Sequence, residues 1–142
     1  MPLARLNYYT ALLFKDRPDL HLTIRYYKSQ TPLGLASIIK RTNEAMVQYP
    51  EQTAFRLHFD RPAMFGFQEK VRVLLPFETT EWPEFINLLN PPKSWGPHVT
   101  CENESLSLLV DSVGIMTKNR AIATWRLQSE ILSEPLFAGL KT

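Results

Sequence analysis

The sequence contains a single cysteine, Cys101, among its 142 residues. One cysteine excludes an intramolecular disulfide and any metal site built from several thiolates, and it is typical of a protein from a reducing compartment. Glycine is nearly as scarce, with five residues, and the spacings that build Walker and Rossmann phosphate loops are absent. Nucleotide-binding proteins that rely on those loops are therefore excluded.

Long apolar runs and a strong excess of one charge are also missing. Lys, Arg or Asp interrupts every apolar segment well before the roughly 18 residues that a membrane span requires, and the N-terminus has no secretory signal core. The formal net charge of +2 is too small for a protein that coats nucleic acid. With 44% apolar and 21% charged residues, we expect one cytoplasmic domain over residues 1–142, monomeric and without a membrane partner.

Apolar periodicity divides the chain into many strands and few helices. A helix is predicted from the Thr31-Pro32 entry to Pro50, which ends it, and a short second helix over 82–89. The segment 61–67 is predicted to be a loop. Strands are predicted over 7–14, 20–27, 53–60, 71–75, 99–102, 106–116 and 121–128, with a turn over 117–119. Strands interleaved with one long and one short helix indicate the α+β class.

Two of the three histidines lie in the same short pattern. His21 is followed two residues later by Thr23, and His98 by Thr100, and an apolar residue stands on each side of both histidines. Because alternate side chains of a strand point to the same face, each histidine shares a face with its threonine, and the intervening residue points to the core. Two such strands side by side would present two imidazoles and two hydroxyls in one pocket.

This set of groups suits phosphate ester chemistry. An imidazole, whose ordinary pKa is about 6.5, serves as base or acid near neutral pH, so one histidine can accept a proton while the other donates one. Threonine hydroxyls can hydrogen-bond the non-bridging phosphoryl oxygens in the transition state. The paired motifs therefore predict phosphodiester chemistry that needs no metal or other cofactor. A zinc site of His21, His98 and a carboxylate such as Glu102 is the alternative, although these residues lack the close spacing of zinc ligands.

The two motifs and the order of elements around them resemble the 2H phosphoesterase superfamily of LigT-like proteins. The resemblance runs from about residue 7 to residue 128, and it includes the Phe65-Gly66-Phe67 segment. It implies a bilobal α+β fold in which antiparallel sheets line a central cleft and helices pack outside. It also implies metal-independent cleavage of 2′,3′-cyclic phosphates, 2′-5′ linkages or related nucleotide phosphodiesters. In that activity His21 and His98 are the acid–base pair, and Thr23 and Thr100 bind the phosphate.

The chain departs from this family by being short. Members usually carry a long helix between the first strand and the first motif, whereas only residues 15–19 separate the two predicted strands here. The compact form resembles viral and phage members, some of which destroy cyclic or 2′-5′ oligonucleotide immune signals. An immune-evasion enzyme, or a sponge for such signals, is therefore an alternative role.

Strand alternation also predicts further cleft residues. Arg25 and Tyr27 fall on the face of His21, where they could contact phosphate or a base, or form a solvated strand end. Of the adjacent Tyr8 and Tyr9, one faces the cleft and can stack a nucleobase while the other is core, and we assign Tyr9 to the cleft. Trp95, three residues before His98, is either a second stacking residue or a loop-packing residue.

Three classes of function remain open at this point. The first is an enzyme that acts on a small nucleotide or short oligonucleotide, with RNA as a further candidate partner. The second is a module that binds a nucleotide or RNA without cleaving it. The third is a structural interaction domain in which the histidines have no chemical role.

Overall fold

An antiparallel sheet of seven strands dominates the computed structural model, which describes residues 5–48 and 53–128. Its helices are α1 (Pro32–Gln48) and the single-turn α2 (Phe85–Leu88), and a 3-10 turn covers Phe67–Glu69. The strands are β1 (Leu6–Phe14), β2 (His21–Gln30), β3 (Phe55–Phe65), β4 (Val71–Pro76), β5 (Val99–Thr100), β6 (Leu106–Thr117) and β7 (Arg120–Arg126). The α+β class predicted from the sequence is confirmed. Within the described ranges no helix is long and apolar enough to cross a membrane.

The two histidine motifs lie at opposite ends of the strand order but meet in space. In the order β2-β1-β6-β3-β4-β5 the motif strands β2 and β5 lie at opposite ends. The long strand β6 joins two halves, because its first part pairs with β3 and its second part with β1 and β7. The sheet curves so far that β2 and β5 contact each other. The sheet therefore has two halves, and both motifs lie where its two end strands, β2 and β5, meet.

Alternation along the strands gives this sheet two different faces. The first, the helix face, carries the core and α1, which packs against it through Ile38, Ala45 and Met46. Leu22 and Val99, the central residues of the two motifs, are each 0% exposed and belong to the main core cluster. The residues on either side of them therefore project from the opposite face, which we call the cleft face.

The observed elements differ from the predicted ones chiefly in β3 and in the second helix, and β5 ends at Thr100 where the prediction extended to residue 102. Residues 61–65, predicted as a loop, continue β3, because they pair with β4 as far as Phe65 and Val71. Proline is tolerated at position 62 since that part of β3 pairs with β4 alone, which leaves its other side free of a ladder. The helix predicted over 82–89 is shortened to Phe85–Leu88. Pro50, the predicted end of the first helix, lies outside the described residues.

A β-bulge in β2 changes which side chains reach the cleft face. Ala11 pairs with Thr23, but the preceding Thr10 pairs with Arg25, so Ile24 is an extra residue on its strand. An extra residue reverses the alternation beyond it. Tyr26, which strict alternation places in the core, consequently lies on the cleft face and is 55% exposed.

The central position of Leu22 leads to the first prediction. Leu22→Ala should lower the free energy of unfolding by about 2–5 kcal/mol, because the neighbours of a fully buried leucine fill the resulting space only in part. Urea-induced unfolding measures this change. Leu33→Ala, which alters a side chain that is 80% exposed on α1, is the control and should change the same free energy by less than about 0.5 kcal/mol. Equal effects of the two substitutions would contradict the assignment of Leu22 to the core.

Candidate active site

The two histidine motifs meet where β2 and β5 come together. His21 and Thr100, one residue from each motif, line a single hollow of about 370 Å³. His98 lies on the same face as Thr100 because Val99 between them is buried, and Thr23 shares the face of His21 because the bulge begins only after it. The remaining lining residues of this hollow are Leu13, Pro18, Asp19, Leu20, Met116 and Asn119.

His21 is half-buried and packs against an aromatic ring. The centroid of its imidazole lies 5.1 Å from that of the Tyr9 ring, with an angle of 37° between the planes. Burial, and secondly the positive charge that His98 can carry, lower the pKa of His21 from its ordinary 6.5. At neutral pH His21 is therefore uncharged and able to accept a proton. The charge effect also means that the two imidazoles lie close enough to influence each other.

His98 is held differently. Its Nδ1 lies 2.7 Å from the carbonyl oxygen of Gly96, and since a carbonyl oxygen only accepts hydrogen bonds, Nδ1 carries the hydrogen. Nε2 is then the nitrogen available for proton exchange. The ring of Phe65 packs against this imidazole at 4.6 Å between centroids, in an edge-on arrangement. Both contacts restrict the orientation of the His98 ring.

Trp95 holds the two motifs against each other. Its indole N–H donates a hydrogen bond of 2.9 Å to the backbone carbonyl of Thr23. The ring lies 5.0 Å from that of Trp82, and both pack against the main core cluster. These contacts are those of the loop-packing alternative, which makes Trp95 a positioning residue. That it also stacks a base stays a prediction.

The prediction that Arg25 and Tyr27 share the face of His21 is wrong. The bulge at Ile24 turns both side chains to the helix face, where Tyr27 packs against the cluster around Ile38. The Arg25 guanidinium lies over the Tyr27 ring at 5.4 Å and donates a hydrogen bond of 3.1 Å to the carbonyl of Asn90. Neither residue is therefore available to a ligand in the histidine hollow.

The tyrosines of β1 divide between the two faces. Tyr8 is 6% exposed and belongs to the core, whereas Tyr9 lies beside His21. The Tyr9 hydroxyl donates a hydrogen bond of 3.3 Å to Oδ1 of Asn119 in the β6–β7 turn. Burial is the main cause that raises the pKa of Tyr9, so the phenol keeps its proton and remains a donor.

Sequence reasoning missed Tyr26 and Asn119. In a strand without a bulge Tyr26 would point to the core, and no local signal marks the bulge that places it on the cleft face. Asn119 was predicted only as a turn residue, but the turn carries it to the hollow. Its position at the tip of a hairpin beside β1 is the signal that could have indicated a cleft role.

The zinc alternative does not fit the geometry. Among residues 5–48 and 53–128, no three His, Cys, Asp or Glu side chains come together in a way that could hold a metal ion. His21, His98 and Glu102 therefore do not form a ligand set.

No protein-family model and no curated protein matches the chain. Solved structures do match it. E. coli LigT complexed with ATP superimposes with a TM-score of 0.62 and 13% identity, over 88% of this chain and 99% of that one. The chain has the LigT-like fold. E. coli LigT in its apo form gives 0.61 at 13% identity over 87% and 98% of the two chains, and a structure described as a phosphoesterase gives 0.56 at 13% over 87% and 99%.

In this chain the connection that leads into the first histidine motif is short. Only residues 15–20 connect β1 to β2, which agrees with the short connection read from the sequence. Arg17 and Asp19 in this connection form an ion pair of 2.9 Å, and Asp19 lines the hollow beside His21. A short, internally paired turn therefore stands beside the first histidine.

The coupling between the two imidazoles is directly measurable. NMR titration should find the pKa of His21 below 6.5 in the wild type. In His98→Gln it should rise but stay below 6.5, because the charge of His98 is removed while burial remains. His58→Gln, which changes the exposed histidine of β3, is the control and should leave the titration of His21 unchanged. An unaltered His21 titration in His98→Gln would show that the imidazoles do not interact.

Proposed function

We propose that the protein is a metal-independent phosphodiesterase of the 2H type. Its substrate is a nucleotide phosphodiester: a 2′,3′-cyclic phosphate, a 2′-5′ linkage, or a bond in a cyclic or short oligonucleotide. The observation that carries the proposal is the approach of the two His-x-Thr motifs where β2 and β5 meet: His21 and Thr100 line one hollow, burial lowers the pKa of His21, and Nδ1 of His98 is tied to a backbone carbonyl. The fold adds support, since E. coli LigT has been solved with phosphate and with 3′-AMP.

The environments of the two histidines favour different roles. With a cyclic phosphate, uncharged His21 takes a proton from water as the water oxygen bonds to phosphorus. His98, protonated on both nitrogens, gives the Nε2 proton to the departing ribose oxygen as the old P–O bond breaks. Its Nδ1–H stays on the Gly96 carbonyl throughout and stabilises the charged ring. With an internal linkage, a neighbouring ribose hydroxyl replaces water as the nucleophile.

The threonines bind the group that gains charge. The hydroxyls of Thr23 and Thr100 donate to the non-bridging phosphoryl oxygens, which carry more negative charge in the transition state than in the substrate. Their strands are held by Leu22 and Val99 in the core, so these donors need little reorganisation during the reaction.

Substitution of the histidines tests the assignment. His21→Ala and His98→Ala should each lower kcat/KM by about 10²–10⁴-fold, the usual contribution of a general acid or base. The double variant should lose less than the product of the two, because the pair acts as a unit. Thr23→Val and Thr100→Val should cost less. The assay is a panel of 2′,3′-cyclic nucleotides, 2′-5′ oligoadenylates and cyclic oligonucleotides with EDTA present.

The third histidine supplies the control for this experiment. His58→Ala alters an exposed residue whose ring contacts Phe77, and it should retain full turnover. Near-full turnover in either motif variant would contradict the histidine pair. Recovery of every substrate intact from a folded, ligand-bound wild-type protein would favour the binding module instead.

The pH dependence follows from the two roles. The rate should follow a bell, since His21 must be uncharged and His98 charged. Because the pKa of His21 is lowered from 6.5, the acid limb should lie below pH 6.5, and the rate is lost as His21 gains a proton. His21→Ala should remove this limb from any residual rate, and EDTA should not move the wild-type curve. A flat profile between about pH 5 and pH 9 would exclude paired-histidine catalysis.

A further inference from the structure

Beyond His21, the cleft face carries aromatic rings that the proposed chemistry does not use. The Tyr9 ring lies 5.1 Å from His21, and the Tyr26 ring lies 6.4 Å from Tyr9 with only 18° between the planes. The three rings form a series that leads away from the histidine across β1 and β2. Tyr26 is 55% exposed, so packing inside the protein does not account for its position.

A second hollow of about 350 Å³ lies at the outer end of this series. It adjoins the histidine hollow, because Asn119 lines both. Each hollow falls within the range of about 300–1,000 Å³ that small-molecule sites occupy. The second one is lined by Arg5, Leu6, Asn7, Tyr9, Tyr26, Thr117, Lys118 and Asn119.

The polar lining of the second hollow is cationic. Arg5 and Lys118 are its charged residues, and within the described ranges neither takes part in an ion pair. Arg5 donates a hydrogen bond of 3.1 Å to the carbonyl of Ser29, which fixes its guanidinium at the edge of β2. A pair of cations beside stacked aromatic rings is a combination that suits a nucleotide, with a phosphate for the charges and a base for the rings.

The residue preferences of the β6–β7 turn do not explain why position 118 is a lysine. Lys118 and Asn119 are the two central residues of the β6–β7 turn, with φ of 50° and 62°. Turns of this kind favour asparagine and glycine at both positions, because a side chain is strained at positive φ. Asn119 suits the turn and Lys118 does not, which leaves its charge at the hollow as the feature in need of a role.

We propose that the second hollow is a subsite for the second nucleotide of the substrate, the one that follows the nucleotide carrying the scissile phosphate. The substrate is then an oligonucleotide of two or more nucleotides, whose second base stacks on Tyr26 and Tyr9 and whose second phosphate lies between Arg5 and Lys118. The inference rests on the proposed function, since the subsite is defined by its distance from His21. Because stacking on an aromatic ring tolerates any base, the selectivity is for length and not for sequence.

Two substrates with the same reacting group test the subsite. Adenosine 2′,3′-cyclic phosphate and the diadenylate that ends in the same cyclic phosphate differ by one nucleotide. The wild type should cleave the dinucleotide with a kcat/KM about 5-fold higher or more, the contribution of one stacked base. Tyr26→Leu should remove most of this preference. Tyr27→Leu, the neighbouring tyrosine on the helix face, is the matched control and should keep it.

Salt dependence tests the cationic part independently of turnover. The dissociation constant of the diadenylate that ends in a 3′-phosphate, which has an internucleotide phosphate and no cyclic phosphate to cleave, should rise with salt. Lys118→Asn should lower the slope of log Kd against log salt concentration by about 0.7, the effect of one phosphate contact on a single strand. Asparagine suits the turn, so the fold is retained. Lys118→Arg should keep the slope, and so should Lys40→Asn, which changes an exposed lysine of α1.

The outcomes separate the two proposals. Equal cleavage of both cyclic phosphates, unaffected by Tyr26→Leu, would overturn the subsite and leave the phosphodiesterase standing. If neither cyclic phosphate is cleaved, ligand binding decides whether the subsite exists. The proposed function is overturned only when no substrate of the whole panel is cleaved. Diadenylate 3′-phosphate that binds more tightly than 3′-AMP, and loses this advantage in Tyr26→Leu, supports the subsite, whereas equal affinities overturn it.

Discussion

The contact between β2 and β5 is the constraint on which the candidate site depends. These strands stand at opposite ends of the sheet order, and only its curvature brings them together. Two interactions hold the contact: Leu22 and Val99 share one core, and the Trp95 indole donates to the Thr23 carbonyl. Burial of each aliphatic side chain contributes about 1.5–3 kcal/mol, whereas one hydrogen bond contributes about 0.5–1.5 kcal/mol net. The shared core therefore supplies most of the stability, and the directional hydrogen bond fixes how β5 is placed along β2.

The same alternation that buries Leu22 and Val99 presents the histidines and threonines on the cleft face. A slip of one residue in either strand would send the imidazole into the core and the aliphatic side chain into the cleft, so the packing that stabilises the fold also specifies the site. The bulge at Ile24 interrupts the alternation, so core packing specifies the site residues only at the start of β2. Beyond it the adjacent Tyr26 and Tyr27 serve opposite faces, one at the cleft and one against α1.

Sequence reasoning located most of the strands, because their signal is local. A period of two identifies them, and the repeated His-x-Thr spacing marks two segments whose strands, β2 and β5, contact each other in the structure. The errors over Arg25, Tyr26 and Tyr27 have a single source, because an extra residue in β2 is defined only by its pairing with β1. The extension of β3 past Arg61 likewise depends on a partner strand, β4, and Trp95 depends on a backbone carbonyl far away in the sequence. Pairing between segments that are distant in the sequence leaves no local signal in the chain.

Two motifs of the same composition acquire different properties from their surroundings. Burial makes positive charge costly on His21, and the neighbouring imidazole makes it more costly still when His98 is charged. A backbone carbonyl accepts the Nδ1 hydrogen of His98, which fixes the tautomer and the orientation of that ring and leaves Nε2 for proton exchange. Under the proposed mechanism the first environment suits the base, because His21 resists positive charge. The second suits the acid, because a ring held in one orientation presents Nε2 in one direction.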